Sequence, residues 1–79
     1  MLTAPQIRAA RALLDWSQPD LAQAASLSLP TIRRMEGALG PGRSTAANVE
    51  AVRQALEAAG VVFLESGEVK AGGPGVRLR

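Results

Sequence analysis

Neither cysteine nor histidine occurs in the 79 residues. Without thiols there is no disulfide and no thiolate metal site. A zinc or iron centre would have to be built from carboxylates alone, which those metals rarely accept. No metal and no other cofactor is therefore expected. The same absences remove the commonest general base and the most reactive nucleophile. Asp15, Asp20, Glu36, Glu50, Glu57, Glu65 and Glu68 are scattered, and none is expected to pair in a cleft. No Gly-x4-Gly-Lys-Ser/Thr phosphate loop occurs, and Gly-Gly-Pro-Gly at 72–75 is followed by no helical pattern. The chain is expected not to be an enzyme. No apolar run approaches the roughly 18 residues of a membrane span. Met-Leu-Thr-Ala-Pro at the start lacks the charged and apolar regions of a secretory signal. With the lack of cysteine, which fits a reducing compartment, this points to a cytoplasmic protein that engages no membrane.

What remains is one short domain, able to bury only about 60% of its unfolded surface, in which no small-molecule ligand domain is evident. The net charge is +2. It sits in residues 1–44, where Arg8, Arg11, Arg33, Arg34 and Arg43 face Asp15, Asp20 and Glu36. In residues 45–79, Arg53, Lys70, Arg77 and Arg79 balance four glutamates. So small a surplus is compatible with a polyanionic partner without requiring one.

Three similar start signals mark the N-terminal half: Thr3-Ala4-Pro5, Ser17-Gln18-Pro19 and Ser28-Leu29-Pro30. Each sets a hydroxyl residue two before a proline. The hydroxyl accepts from a free N–H of the first helical turn, where proline is tolerated. Thr3 and Gln6 also have capping-box spacing. Helices are predicted over 4–14, 18–25 and 29–36. A fourth starts after Thr45 and runs over Ala46–Ala59, with Val49, Val52 and Leu56 on one face and Gly60 at the end. Gly37–Ser44 is a turn-rich loop. Val61–Glu65 and Val76–Arg79 read as strands joined by a long, glycine-rich, mobile loop over Ser66–Gly75. The organisation is thus a helical unit over 1–60 and a β-hairpin over 61–79 within the same domain. Because an isolated hairpin is marginal in water, it must pack on the helices or on a second subunit. Val62 and Leu64 lie on the strand face opposite Val61 and Phe63, so Val62, Leu64, Val76 and Leu78 are taken as the dimer contact.

Helices two and three are separated only by Ser26-Leu27-Ser28, which forces a steep crossing. Leu21, Ala25, Leu27, Ile32 and Met35 form one inward set, and the small Ala22 permits close approach. On a 3.6-residue wheel, Pro30, Arg33 and Arg34 then face away from Ile32 and Met35, flanked by Leu29 and Thr31. An exposed helix with adjacent arginines has the width to enter a DNA major groove. There Arg can bond guanine bidentately and Thr can offer its methyl to thymine.

Residues 16–37, Trp-Ser-Gln-Pro-Asp-Leu-Ala-Gln-Ala-Ala-Ser-Leu-Ser-Leu-Pro-Thr-Ile-Arg-Arg-Met-Glu-Gly, resemble the helix-turn-helix of the Cro/phage-repressor (XRE-type) family of transcriptional regulators. Gln18, Leu21, Ala22, Ala25, Leu27, Ser28, Thr31, Ile32 and Glu36-Gly37 carry the resemblance. It extends more weakly to about Gly60, and the ending Gly-Gly-Pro-Gly-Val-Arg-Leu-Arg is similar to tails of short members. It implies a mainly α, four-helix, lambda-repressor-like DNA-binding domain with a helix-turn-helix over 18–36. Gln18 would contact phosphate and brace the third helix. Leu29, Pro30 and Arg34 would face base edges, with Thr31 and Arg33 reaching bases or phosphates. Ser28 and the region of Arg43 would contact the backbone, and Arg11 and Glu36 would form a structural ion pair. Three positions depart from the pattern. Ser26 stands where the family usually has Gly, at a cost of about 1 kcal/mol if left-handed. Pro19 replaces a common Glu. Leu29 and Pro30 offer no hydrogen bond, so readout leans on Arg34, Arg33, Thr31 and DNA shape.

Each feature also has a plainer reading. Arg33 and Arg34 alone would be a solvated face; within this turn and core they read as DNA contacts. Gln18 is read as a phosphate contact rather than an ordinary first-turn residue. Trp16 is read as a core seal rather than a ligand-stacking residue, and Val49/Val52/Leu56 as core rather than a dimer seam. Arg77 and Arg79 read as charges that blunt a strand edge. The expected function is a sequence-specific regulator of transcription, a repressor, binding double-stranded DNA as a homodimer with recognition helices about 34 Å apart. The alternative is an antitoxin-like protein-interaction module that also represses its own promoter, using the apolar Leu29-Pro30 surface and the strand tail.

Overall fold

The computed structural model describes residues 2–64 and 75–79. Among them are four α-helices, α1 (Ala4–Leu14), α2 (Gln18–Ala25), α3 (Leu29–Met35) and α4 (Ala46–Ala58), a 3-10 turn (Gly40–Arg43) and an antiparallel hairpin of β1 (Val61–Leu64) and β2 (Gly75–Leu78). The protein is mainly helical with a small C-terminal hairpin. No helix among the described residues is long and apolar enough to cross a membrane.

The helix starts follow from the hydroxyl caps. Thr3 Oγ1 accepts from Gln6 N at 3.2 Å while Gln6 Oε1 accepts from Thr3 N at 2.9 Å. Ser17 and Asp20 repeat this reciprocal box at 3.1 and 2.9 Å. Ser28 accepts from Thr31 N and Thr45 from Asn48 N. Every α-helix therefore has one or two of its otherwise unpaired first-turn donors satisfied. The ends of α1 and α2 share a motif. Asp15 (φ = 57°) and Ser26 (φ = 58°) are left-handed, and the next residue closes the helix by bonding back across the turn, Trp16 N to Arg11 O and Leu27 N to Ala22 O, both at 2.9 Å. The left-handed Ser26 is the strain expected where glycine is missing. Asp15 carries the same geometry without an obvious sequence warning, and Asp tolerates it better than most residues.

Ile7, Leu21, Ile32, Met35, Val52, Leu56 and Val61 are fully buried. Each side chain so buried contributes about 1.5–3 kcal/mol of transfer free energy, and together they join all four helices to β1. Leu14, Trp16, Leu27, Val49, Phe63 and Val76 are partly buried against them, so the α4 stripe and Trp16 belong to the core. α2 packs on both α3 and α4, while α1 packs on the hairpin.

The hairpin register pairs Val61 with Leu78, Val62 with Arg77, Phe63 with Val76 and Leu64 with Gly75. Directly opposed residues share a sheet face. Val61, Phe63 and Val76 therefore face the core together, and Leu78 is on that same side although 44% exposed. The four residues expected at a dimer contact therefore do not share one face. Val62 and Leu64 do share the outer face, with Arg77, but Val76 and Leu78 do not. The register could not be read across the long connection, because one residue of slip reverses every side chain. Glu65 and the expected loop at 66–74 lie outside the described residues, and Gly75 begins β2.

Candidate nucleic-acid interface

A helix of seven residues is too short to be stable by itself, so α3 depends on what holds its ends and its inner face. Ile32 and Met35 hold the inner face, both 0% exposed. The C-terminal end is held at Glu36. Its carboxylate receives Arg11 bidentately, Nε to Oε2 and Nη2 to Oε1, both at 2.7 Å, and Gln18 Nε2 also donates to Oε1 at 3.2 Å. Arg8 Nη1 donates to the Glu36 carbonyl at 2.7 Å, and Arg11 Nη1 to the Trp16 carbonyl at 3.0 Å. The Glu36 side chain is 3% exposed and that of Arg11 19%. Hydrogen bonding to Glu36 raises the Arg11 pKa above its ordinary value, against the opposing effect of burial. Arg11 therefore stays charged at any pH where the fold is of interest. Two cations at the carbonyl end of α3 also suit the negative pole of a helix.

With that end and face secured, the remaining side of α3 is open. Pro30, Arg33 and Arg34 are exposed, and Leu29 and Thr31 are half-buried. Arg33 has no hydrogen bond or ion pair among the described residues. Along one line of the helix, Ser28 Oγ and Thr31 Oγ1 lie 2.8 Å apart, and Arg34 Nη2 donates to Thr31 Oγ1 at 3.4 Å. Two arginines and two hydroxyls thus face outward from a helix whose position is fixed from behind.

Arg34 also lines a groove of about 580 Å³ with Gly37, Ala38, Leu39, Gly40, Ser44, Thr45 and Asn48. The groove runs from the end of α3 to the start of α4, where partial positive charge from free N–H groups gathers. Leu39, 69% exposed, stands at its rim.

The site residues named from sequence therefore fall into separate places. Ser28, Leu29, Pro30, Thr31, Arg33 and Arg34 share the outer side of α3. Gln18 is half-buried against Glu36, which puts it behind the helix as a brace. Arg43 closes the 3-10 turn, and its side chain lies outside the described part of the structure. Arg11 and Glu36 form the ion pair behind α3. Sequence reasoning missed Arg8, whose partner is a backbone carbonyl 28 residues away, and the groove residues Leu39 and Asn48. An exposed leucine in a glycine-rich loop was the one available signal. Among the described residues no group of carboxylates could hold a metal ion. Compared with protein-family models and with curated protein sequences, the chain matches none.

Proposed function

We propose that this protein is a sequence-specific double-stranded DNA-binding regulator of transcription, a repressor of the lambda-repressor-like, XRE-type kind, acting in the cytoplasm as a homodimer with α3 in the major groove. The observation that carries this reading is the division of α3 into two sides. Ile32 and Met35 are wholly buried, while Arg33 and Arg34 are exposed. The bracing of Glu36 by Arg11, Arg8 and Gln18 supports it further, because a reading helix must hold its register against the bases. The groove between α3 and α4, with Ser44, Thr45 and Asn48 on its wall, offers polar groups beside that helix, where a DNA backbone strand would pass and set the orientation.

Selection of bound sequences from a random duplex pool tests this directly. The expected result is a two-fold symmetric consensus with half-site centres about 10 base pairs apart. Affinity should fall steeply as salt is raised, because phosphate contacts release counterions. Binding with no sequence preference, or affinity indifferent to salt, would overturn the assignment. A consensus without symmetry would remove the homodimer and leave the recognition helix.

A further inference from the structure

We propose that Thr31 acts through its hydroxyl, as the residue that positions Arg34 for base reading, and not by presenting its methyl to a base. The inference rests on the regulator reading above and goes beyond it, since the sequence pattern leaves Thr31 as one more direct contact.

Arg34 carries only donors, so in its 3.4 Å contact with Thr31 Oγ1 the threonine accepts. That bond is long, and its value lies in direction. Thr31 Oγ1 is itself held 2.8 Å from Ser28 Oγ, and Ser28 Oγ also accepts from the Thr31 backbone N–H at 3.3 Å. The threonine hydroxyl is thereby tied to the cap of its own helix. A β-branched residue has little freedom about χ1, so fixing the oxygen fixes the methyl as well. A hydroxyl whose oxygen accepts from a cation becomes a better donor, which favours a chain running from Arg34 through Thr31 to Ser28. Residues 28, 31 and 34 succeed one another at three-residue steps on one line of α3. An exposed arginine loses much rotamer freedom when it docks on a base. One already held along its helix loses less and discriminates better. Arg33, one position before Arg34 and without such a tie among the described residues, serves as the internal contrast.

Two substitutions separate hydroxyl from methyl. Thr31→Val keeps shape and methyl and loses the hydroxyl; Thr31→Ser does the reverse. Two readouts apply to each. The first is nitrogen relaxation of Arg34 Nε in the free protein. The second is base preference, in the random pool, at the pair whose preference Arg34→Ala relaxes. Thr31→Val should make Arg34 Nε more mobile and weaken that preference roughly tenfold, whereas Thr31→Ser should leave it within about twofold. Equal Arg34 mobility in all three proteins overturns the inference. So does loss of the preference in Thr31→Ser, in both variants, or in neither. A wild-type chain that selects no sequence overturns the regulator reading instead. The relaxation measurement, which uses no DNA, still reads whether Thr31 holds Arg34.

Discussion

Ser26 and Arg34 show how differently single residues act on the two sides of the turn. Ser26 holds a left-handed backbone, φ = 58°, that glycine adopts freely and serine does not. Its side chain is exposed and takes no part in the core. Ser26→Gly should therefore stabilise the fold by about 1 kcal/mol, seen as a higher denaturant midpoint with unchanged slope. A lower midpoint would mean that the serine hydroxyl contributes to the turn. Arg34 is exposed and adds little to folding. Arg34→Ala should leave the midpoint nearly unchanged and weaken specific DNA binding by roughly 1–3 kcal/mol, relaxing one base preference. If binding instead weakened equally on all sequences, Arg34 would be a phosphate contact.

At the scale of elements, two long-range tethers decide how the pieces sit. The first is the bracing of Glu36 at the end of α3. Removing one partner of a buried ion pair leaves the other uncompensated, at a cost of about 3–5 kcal/mol. Glu36→Gln, which strands Arg11, should destabilise the protein by roughly that amount and lower DNA affinity by loosening α3. A variant as stable as wild type would show that Gln18 and the backbone carbonyls suffice. The second is Gln6. Besides capping α1, its Nε2 donates to the carbonyls of Leu64 and Gly75 at 3.3 and 3.1 Å, and the residue is 5% exposed. It joins the start of α1 to the Leu64–Gly75 end of the hairpin. Gln6→Ala should speed amide exchange in β1 and β2 far more than in α2. Uniform acceleration would point to global loss of stability instead.

For the molecule as a whole, the register leaves Val62 and Leu64 on the hairpin's outer face while Val61, Phe63 and Val76 complete the core. Removing residues 61–79 would damage the core and the proposed dimer contact together, so a point change on the outer face is the cleaner probe. Leu64→Lys should give a monomer by sedimentation that keeps the wild-type helical content and binds the symmetric site weakly. A variant that still sediments as a dimer would move the subunit contact elsewhere. The exposed Leu39 beside the α3–α4 groove is the next place to look.

Much of this protein was legible along the chain because the relevant physics is local. Hydroxyl caps and prolines mark the starts of α1, α2 and α3 through bonds spanning three residues, and the 3.6-residue period already turns Ile32 and Met35 away from Arg33 and Arg34. The strain at Ser26 was expected only from the resemblance, which puts glycine at that turn position. Other features depend on partners far apart in the chain. Gln6 reaches carbonyls 58 and 69 residues away, Arg8 finds a carbonyl on α3, and Gln18 turns to Glu36. The pairing of β1 with β2 across residues 65–74 sends Val76 inward. Such choices follow from which surfaces meet once the helices pack. No periodicity encodes them, because a strand's alternation gives two faces and leaves the core to select one.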